Sequence, residues 1–274
     1  MFITPAVEIL IRYNSFDQTV PRYYCNLKKN ITLLCLVLGV SVFPLNQVFA
    51  QNIDNTKTAQ LFRSDSAPFG TPYNEWTSKW WMWLISVPLF ESPAADTTGQ
   101  YCAKNQAGPV WFLAGTFQGL AERACDIPAD RAILLPVFNV ECSFAEFPNL
   151  KTDSELSQCA KESIDKVTLV QASVDGVEIQ NIKNNRTQSP AFNVTFPEQN
   201  IFGVQAGPTR AVSDGFWVFL QPLSTGMHEI KFKGALVDYT TTSIATITND
   251  VTYHLNVTAV PGGLNQTQPI VPQR

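Results

Sequence analysis

A cluster of tryptophans is the most distinctive chemical feature of this sequence. Four of the six tryptophans fall within one short segment: Trp76, Trp80, Trp81 and Trp83. Exposed tryptophans can stack on the flat faces of sugar rings, and exposed apolar patches mark interaction sites in general. Trp76, Trp80 and Trp83 recur on one side of a helix, which favours a buried face, whereas Trp81 lies roughly 100° from Trp80. We therefore expect Trp81 to be the exposed member of a ligand-binding site that also includes Trp76 and Trp80.

Acidic residues near the tryptophans could supply polar contacts or acid–base catalysis. Glu75 and Asp96 flank the tryptophan segment and are candidate ligand-binding residues. Glu141 and Glu146 lie beside Cys142, where a disulfide would hold their loop rigid, and they are weak candidates for a catalytic pair. A glycosidase needs two carboxylates about 5–10 Å apart across a cleft. The sequence does not show that distance, so the two glutamates are candidates only.

Other catalytic and cofactor motifs are missing from the sequence. It contains no G-x-S-x-G nucleophile elbow and no glycine-rich nucleotide motif, and we predict no cofactor. The formal net charge is −4 without a basic patch, which argues against a nucleic-acid partner. His228 alternates with Ile230 and Phe232, so we expect a hydrogen-bonded core histidine rather than a catalytic base. His254 alternates the other way and should face solvent.

The N-terminal segment has the features of a secretory signal. Lys28 and Lys29 precede an apolar run over residues 31–43, and Ala50 ends a small-x-small cleavage site. The alternative is a transmembrane anchor, but the run is shorter than the roughly 20 residues that span a bilayer. We therefore predict that residues 1–50 are removed, and that the protein is secreted, periplasmic or on the cell surface without a membrane anchor.

Removal of the signal would leave an even number of cysteines, which in an exported chain indicates disulfides. They are Cys102, Cys125, Cys142 and Cys159. Four cysteines allow three connectivities, and we prefer 102–125 with 142–159 because each pair then closes a short loop. A zinc site is disfavoured, since the sequence has no C-x-x-C and only two histidines, so no metal is predicted.

Two short helices are predicted in the N-terminal half of the mature chain. Thr71 is the expected N-cap of the first, with Pro72 at its first position, and Pro88 ends it. Thr152 starts the second helix in a capping box with Glu155.

The other elements predicted from the sequence are β-strands. Continuous apolar runs over residues 110–114 and 132–138 indicate strands covered on both faces. Residues 167–182 read as a hairpin around an Asp-Gly turn, and residues 216–232 read as a second hairpin around Ser-Thr-Gly. Short strands with frequent turns predict a mainly β protein, an antiparallel β-sandwich with two short helices.

The sandwich is expected to occupy residues 71–259. Residues 51–70 are polar and are assigned to a flexible lead-in, and residues 260–274 to a flexible tail.

Several motifs resemble a family of uncharacterised exported proteins from bacteria and archaea. They include the tryptophan segment W-x-x-x-W-W-x-W from Trp76, the G-P-V-W-F-L-A-G segment from Gly108, and D-G-F-W-V-F-L-Q-P-L-S-T-G-M-H from Asp214. The resemblance covers most of the mature chain. It implies export and no known activity.

The leading interpretation is an exported, disulfide-bonded, non-catalytic β-sandwich that binds an extracellular or envelope ligand, with a glycan as the first candidate. One alternative is a secreted polysaccharide hydrolase that uses paired carboxylates. Another is a purely structural envelope protein in which every tryptophan belongs to the core. Exposed aromatics facing two carboxylates would favour the hydrolase, a flat aromatic face would favour binding, and fully buried aromatics would favour the structural role. The sequence does not indicate an oligomeric state.

Overall fold

The computed structural model describes residues 59–117, 119–239 and 244–260. The predicted signal segment, residues 51–58 of the lead-in and residues 261–274 of the tail lie outside this part. The helices are α1 Tyr73–Ile85 and α2 Asp153–Ile164, with 3-10 turns at Pro68–Gly70, Leu89–Glu91 and Ile182–Asn185. The described strands are β1 Val110–Phe112, β2 Gly119–Pro128, β3 Ala132–Ser143, β4 Val167–Val174, β5 Val177–Glu178, β6 Arg186–Gln188, β7 Phe192–Phe196, β8 Gly207–Leu220, β9 Gly226–Tyr239 and β10 Ile244–Thr258.

The strands form two five-stranded sheets, which confirms a mainly β fold with two helices. Sheet A has the order β1-β3-β8-β6, with β7 also paired to β8, and sheet B has the order β2-β10-β9-β4-β5. Most pairs are antiparallel, as predicted. Each sheet nevertheless contains one parallel pair at an edge, β1 with β3 and β2 with β10. The sheets are therefore mixed. Between the two strands of each parallel pair, the chain returns to the end of the sheet at which the first strand began.

The apolar runs of sheet A are buried on both faces, because this sheet lies between helix α1 and sheet B. Along β3, Ile133 and Leu135 point into a core shared with sheet B, whereas Leu134 packs with helix α1 on the other face. On β8, Val218 and Trp217 divide between the same two layers. The central strand β3 is therefore covered on both faces, as its continuous apolar sequence predicts, and β8 is covered in the same way.

The two hairpin predictions have different outcomes. The β4–β5 hairpin is confirmed, with its turn at Asp175 and Gly176, whose φ angles are +51° and +78°. The second prediction is wrong, because β8 belongs to sheet A and β9 to sheet B. Residues 221–225 therefore carry the chain from one sheet to the other. A short polar turn between apolar strands does not distinguish these two arrangements.

The helix ends and the lead-in also differ in part from expectation. The capping box is confirmed, since the Thr152 hydroxyl accepts a bond from Glu155 N at 3.2 Å. At α1 the prediction is wrong by one residue: Pro72 occupies the N-cap position and no side chain caps the helix. Residues 59–70, assigned to the lead-in, contact sheet A, and Phe62 N donates to the carbonyl of Phe219 at 2.8 Å.

The preferred disulfide pairing is confirmed. Cys102 bonds to Cys125 and joins a loop to β2, while Cys142 bonds to Cys159 and joins β3 to α2. Two disulfides indicate that the protein folds in an oxidising environment. Neither α-helix among the described residues is long and apolar enough to cross a membrane.

A buried arginine joins several parts of the fold. The side chain of Arg123 on β2 is 1% exposed and points inward among the apolar residues of its strand. Its five N–H donors all have acceptors, which are the carbonyls of Ala94, Asp96, Ala114 and Gly115 and the hydroxyl of Tyr253. No carboxylate pairs with this cation in the described part of the chain. Backbone dipoles and one phenol therefore replace the water that the guanidinium loses on folding.

We expect Arg123→Met to lower the free energy of unfolding by about 3–5 kcal/mol, since it leaves several buried acceptors without donors. Arg131→Met is the matched control, because the Arg131 side chain is 33% exposed and forms an ion pair with its neighbour Asp130. It should cost less than about 1 kcal/mol. Urea unfolding followed by tryptophan fluorescence measures both, and equal losses would contradict the structural role of Arg123.

Candidate functional site

A cavity of about 140 Å³ lies where helix α1, the second half of β3, the end of α2 and the β9–β10 pair meet. Most of its wall is apolar. Six aromatic residues contribute to it: Trp80, Trp81, Phe117, Phe138, Phe147 and Phe202. The cavity exists because β1 ends at Phe112, so the second half of β3 has no neighbouring strand on that edge.

A side-chain amide takes the place of the missing strand. Asn249 of β10 accepts a hydrogen bond from Thr116 N at 2.8 Å and donates to the carbonyl of Val137 at 2.9 Å. It thereby fixes the segment after β1 at one side of the cavity. Position 115 in that segment requires glycine unless the surrounding atoms shift, since an added Cβ would lie 3.0 Å from the Asn249 amide.

The tryptophans of α1 form one wall and are buried. Trp80 is 2% exposed and its Nε1 donates to the carbonyl of Leu113 at 2.9 Å. Trp81 is 4% exposed, so the prediction that it is exposed is wrong. It packs edge-on against Trp80, and Phe202 from a distant loop covers its other side at 6.2 Å between ring centroids. Helical periodicity does not reveal that covering loop.

Three polar side chains of the cavity wall have buried atoms without a hydrogen-bond partner among the described residues. They are Nε1 of Trp81, Nδ2 of Asn139 and both carboxyl oxygens of Glu141. Buried polar groups are almost always paired. A bound molecule or water in the cavity is the partner within reach, since all three residues line the same space.

The carboxyl groups of Glu141 and Glu146 interact directly in the interior. Glu141 is 6% exposed and Glu146 is 4% exposed. Burial, together with the negative charge of Glu146, raises the pKa of Glu141 well above its ordinary value. Burial also raises the pKa of Glu146, although hydrogen bonds from Glu141 and Ser143 oppose that shift. Burial beside a second carboxyl group therefore disfavours the ionised form of Glu141.

Glu146 lies behind the cavity wall and is held there by Ser143. Its Oε2 accepts a hydrogen bond from the Ser143 hydroxyl at 2.8 Å, within the turn that follows β3. It does not line the cavity. A glycosidase holds its two carboxyl groups apart on either side of the substrate. Glu141 lies in the cavity wall and Glu146 behind it on the same side, so the two carboxyl groups do not provide that geometry.

The other proposed ligand residues lie away from the cavity. Trp76 is buried and its Nε1 donates to the carbonyl of Pro68. Glu75 is exposed on the first turn of α1. Asp96 is 7% exposed and accepts bonds from Thr98 and Tyr101. Burial raises the pKa of Asp96, but these hydrogen bonds outweigh it and lower the pKa overall. Asp96 therefore stabilises a loop.

Sequence reasoning missed Asn139, Asn249 and the covering phenylalanines. Asn249 lies in register with Val251 and Tyr253, and each is buried. The alternation of buried residues in β10, extended by two residues towards the N-terminus, places the Asn249 amide inside the protein. Phe202 follows no regular pattern, so no comparable signal was present.

His228 joins two turns and is hydrogen-bonded, as expected, although its side chain keeps 12% exposure. Its Nδ1 lies 2.7 Å from Asp175 Oδ2 and its Nε2 lies 3.3 Å from Ser224 Oγ. These contacts resemble a serine nucleophile triad. The Ser224 carbonyl is the nearer partner of Nε2, at 2.9 Å, and competes with the hydroxyl for that nitrogen, so these contacts do not make a catalytic triad. His254 faces solvent and contacts Glu122.

Within the described ranges, no group of three or more acidic, histidine or cysteine side chains is placed to hold a metal ion. Comparison of the chain with protein-family models, curated proteins and solved structures gives no significant match. The site therefore has to be interpreted from its own geometry.

Glu141 should make the stability of the protein depend on pH. In the unfolded chain this group ionises around its ordinary value of 4.5, whereas its pKa in the folded protein is higher. The folded state thus holds more protons between these values, so the free energy of unfolding falls as pH rises through that interval. Its contribution is fully present below the unfolded value and is lost as pH passes the raised pKa.

We expect Glu141→Gln to remove most of this dependence and to stabilise the protein near neutral pH by on the order of 1–3 kcal/mol. The glutamine amide can donate to Glu146 without a titratable proton. Glu75→Gln, on an exposed carboxylate, is the control and should follow the wild-type profile. Urea unfolding between about pH 4 and pH 8 measures the three profiles. Parallel profiles for wild type and Glu141→Gln would contradict the buried pair.

Proposed function

We propose that this protein is an exported, non-catalytic binding protein whose ligand is a small, mainly apolar molecule with one hydrogen-bond acceptor. The single observation that carries the proposal is the aromatic cavity with unpaired buried donors in its wall. Ligand sites are typically apolar concavities with a few polar groups that fix orientation. Trp81 and Asn139 supply N–H donors, and Trp80, Phe117 and Phe202 supply apolar surface.

The size of the cavity restricts the ligand. An apolar cavity of about 150 Å³ accommodates one benzene ring in another protein. The cavity here is about 140 Å³. It therefore fits one ring or a short branched chain, and a second ring would require the wall to move.

The same cavity disfavours a glycan as its ligand. A sugar ring carries several hydroxyl groups that each require a partner when buried. Two of the polar lining residues are already committed, because Asn249 bonds to the backbone on both sides and Ser163 donates to the Cys159 carbonyl. The remaining donors are too few for a sugar.

A structural role is the second candidate, and a specific observation favours it. All six tryptophans are buried, between 0% and 8% exposed, so the aromatic residues present no flat platform at the surface. The cavity distinguishes the two functions, since a purely structural protein has no need of unpaired donors in an apolar hollow. The disulfides are compatible with an exported location for either function.

The test compares two ligands of similar shape on wild type and Trp81→Phe. Acetophenone carries a carbonyl acceptor, whereas isopropylbenzene replaces it with a hydrocarbon. We expect both to bind the wild-type cavity, and acetophenone to lose about five- to tenfold more affinity than isopropylbenzene in Trp81→Phe, since one hydrogen bond is lost. Calorimetric titration measures the dissociation constants.

Trp83→Phe is the matched control. Trp83 lies on the same helix and its Nε1 donates to the carbonyl of Lys104, outside the cavity. It should leave the preference for acetophenone unchanged. Absence of binding by both compounds would support the structural role. Binding of soluble oligosaccharides that is insensitive to Trp81→Phe would indicate a ligand site on another surface.

A further inference from the structure

We infer that the Glu141–Glu146 pair is a proton-dependent gate for this cavity, which retains a neutral ligand in acidic conditions and releases it as pH rises. This inference rests on the proposed function. It concerns how ligand binding at the same cavity is regulated.

The position of Glu141 connects the pair to the cavity. Glu141 lies in the wall on β3 beside Asn139, while Glu146 lies behind it and is held by Ser143. While Glu141 is protonated, its carboxyl group adds no charge to the cavity wall. Loss of that proton places a carboxylate against an apolar cavity and beside a second carboxylate.

Among the described residues, no cation is recorded in contact with the Glu141 carboxyl group. On β8, Ser213 is opposite Glu141 in the strand register, and its neighbour Asp214 is paired with Arg186. Helix α2 ends near the cavity with Ser163, whose hydroxyl is bonded to the backbone.

The remaining lining groups from other elements also have partners. From β10, the Asn249 amide is bonded on both sides. Lys166 lines the cavity beyond α2, and it too takes part in another interaction. Among the described residues, the influences on the pKa of Glu141 are burial, Glu146 and Ser143.

The backbone that carries the two glutamates is held at both residues. Cys142 follows Glu141 directly and is bonded to Cys159 on α2. Glu146 follows within a turn in which Phe147 N donates to the Ser143 carbonyl at 2.9 Å. The second charge is therefore accommodated by water entering the cavity. Water competes with an apolar ligand for the same small volume.

The experiment measures the dissociation constant of acetophenone against pH for the intact protein. Above the midpoint of the transition, wild-type affinity should fall by up to about tenfold per pH unit, because only the protonated fraction is competent to bind. Glu141→Gln keeps a neutral wall and should bind with no pH dependence. Glu75→Gln is the control and should follow wild type.

The outcomes separate the two proposals. Binding that is equally tight from about pH 5 to pH 8 in wild type overturns the gate and leaves the binding function intact. No binding at any pH overturns both. If Glu141→Gln folds poorly, the ¹³C shift of the Glu141 side-chain carboxyl in wild type supplies the second measurement. A titration midpoint that acetophenone does not raise would contradict the gate.

Discussion

The guanidinium of Arg123 has to find its hydrogen-bond acceptors inside the protein, because a buried cation without partners would prevent folding. Three separate stretches of chain provide them, around Ala94, around Gly115 and at Tyr253 of β10. Ala94 and Gly115 also form part of the cavity wall. The shape of the cavity therefore depends on a cation that is not itself part of its lining.

Arg123 and Glu141, two of the buried ionisable groups of the fold, differ in how their polar atoms are paired. Every donor of Arg123 is satisfied, and a fully satisfied buried network rigidifies the structure around it. Both carboxyl oxygens of Glu141 lack a partner among the described residues, and burial beside Glu146 raises the pKa of this group. The Arg123 network stabilises the backbone around it, whereas the Glu141 carboxyl group keeps hydrogen-bonding capacity at the cavity wall. We take that contrast as the reason to locate function at Glu141 and stability at Arg123.

Periodicity and covalent constraints made much of the fold predictable from sequence. The apolar run of β3, the capping box at Thr152 and both disulfides follow from local chemistry. The assignment of β8 and β9 to different sheets does not, since the same turn could join a hairpin. Of the site, the sequence indicated Glu141 and Trp81, but not that they meet in one cavity, because Phe202 closes it from an irregular loop.

The position of β10 constrains the order in which the chain can fold. This strand is the last described in sequence, yet it lies between β2 and β9 in sheet B, and it pairs in parallel with β2 over ten residues. Until it arrives, β2 has no neighbouring strand in sheet B and Arg123 lacks its contact with Tyr253. Contacts across more than a hundred residues form slowly because a long loop must close first. A chain made from its N-terminus thus stays incompletely folded until β10 is available.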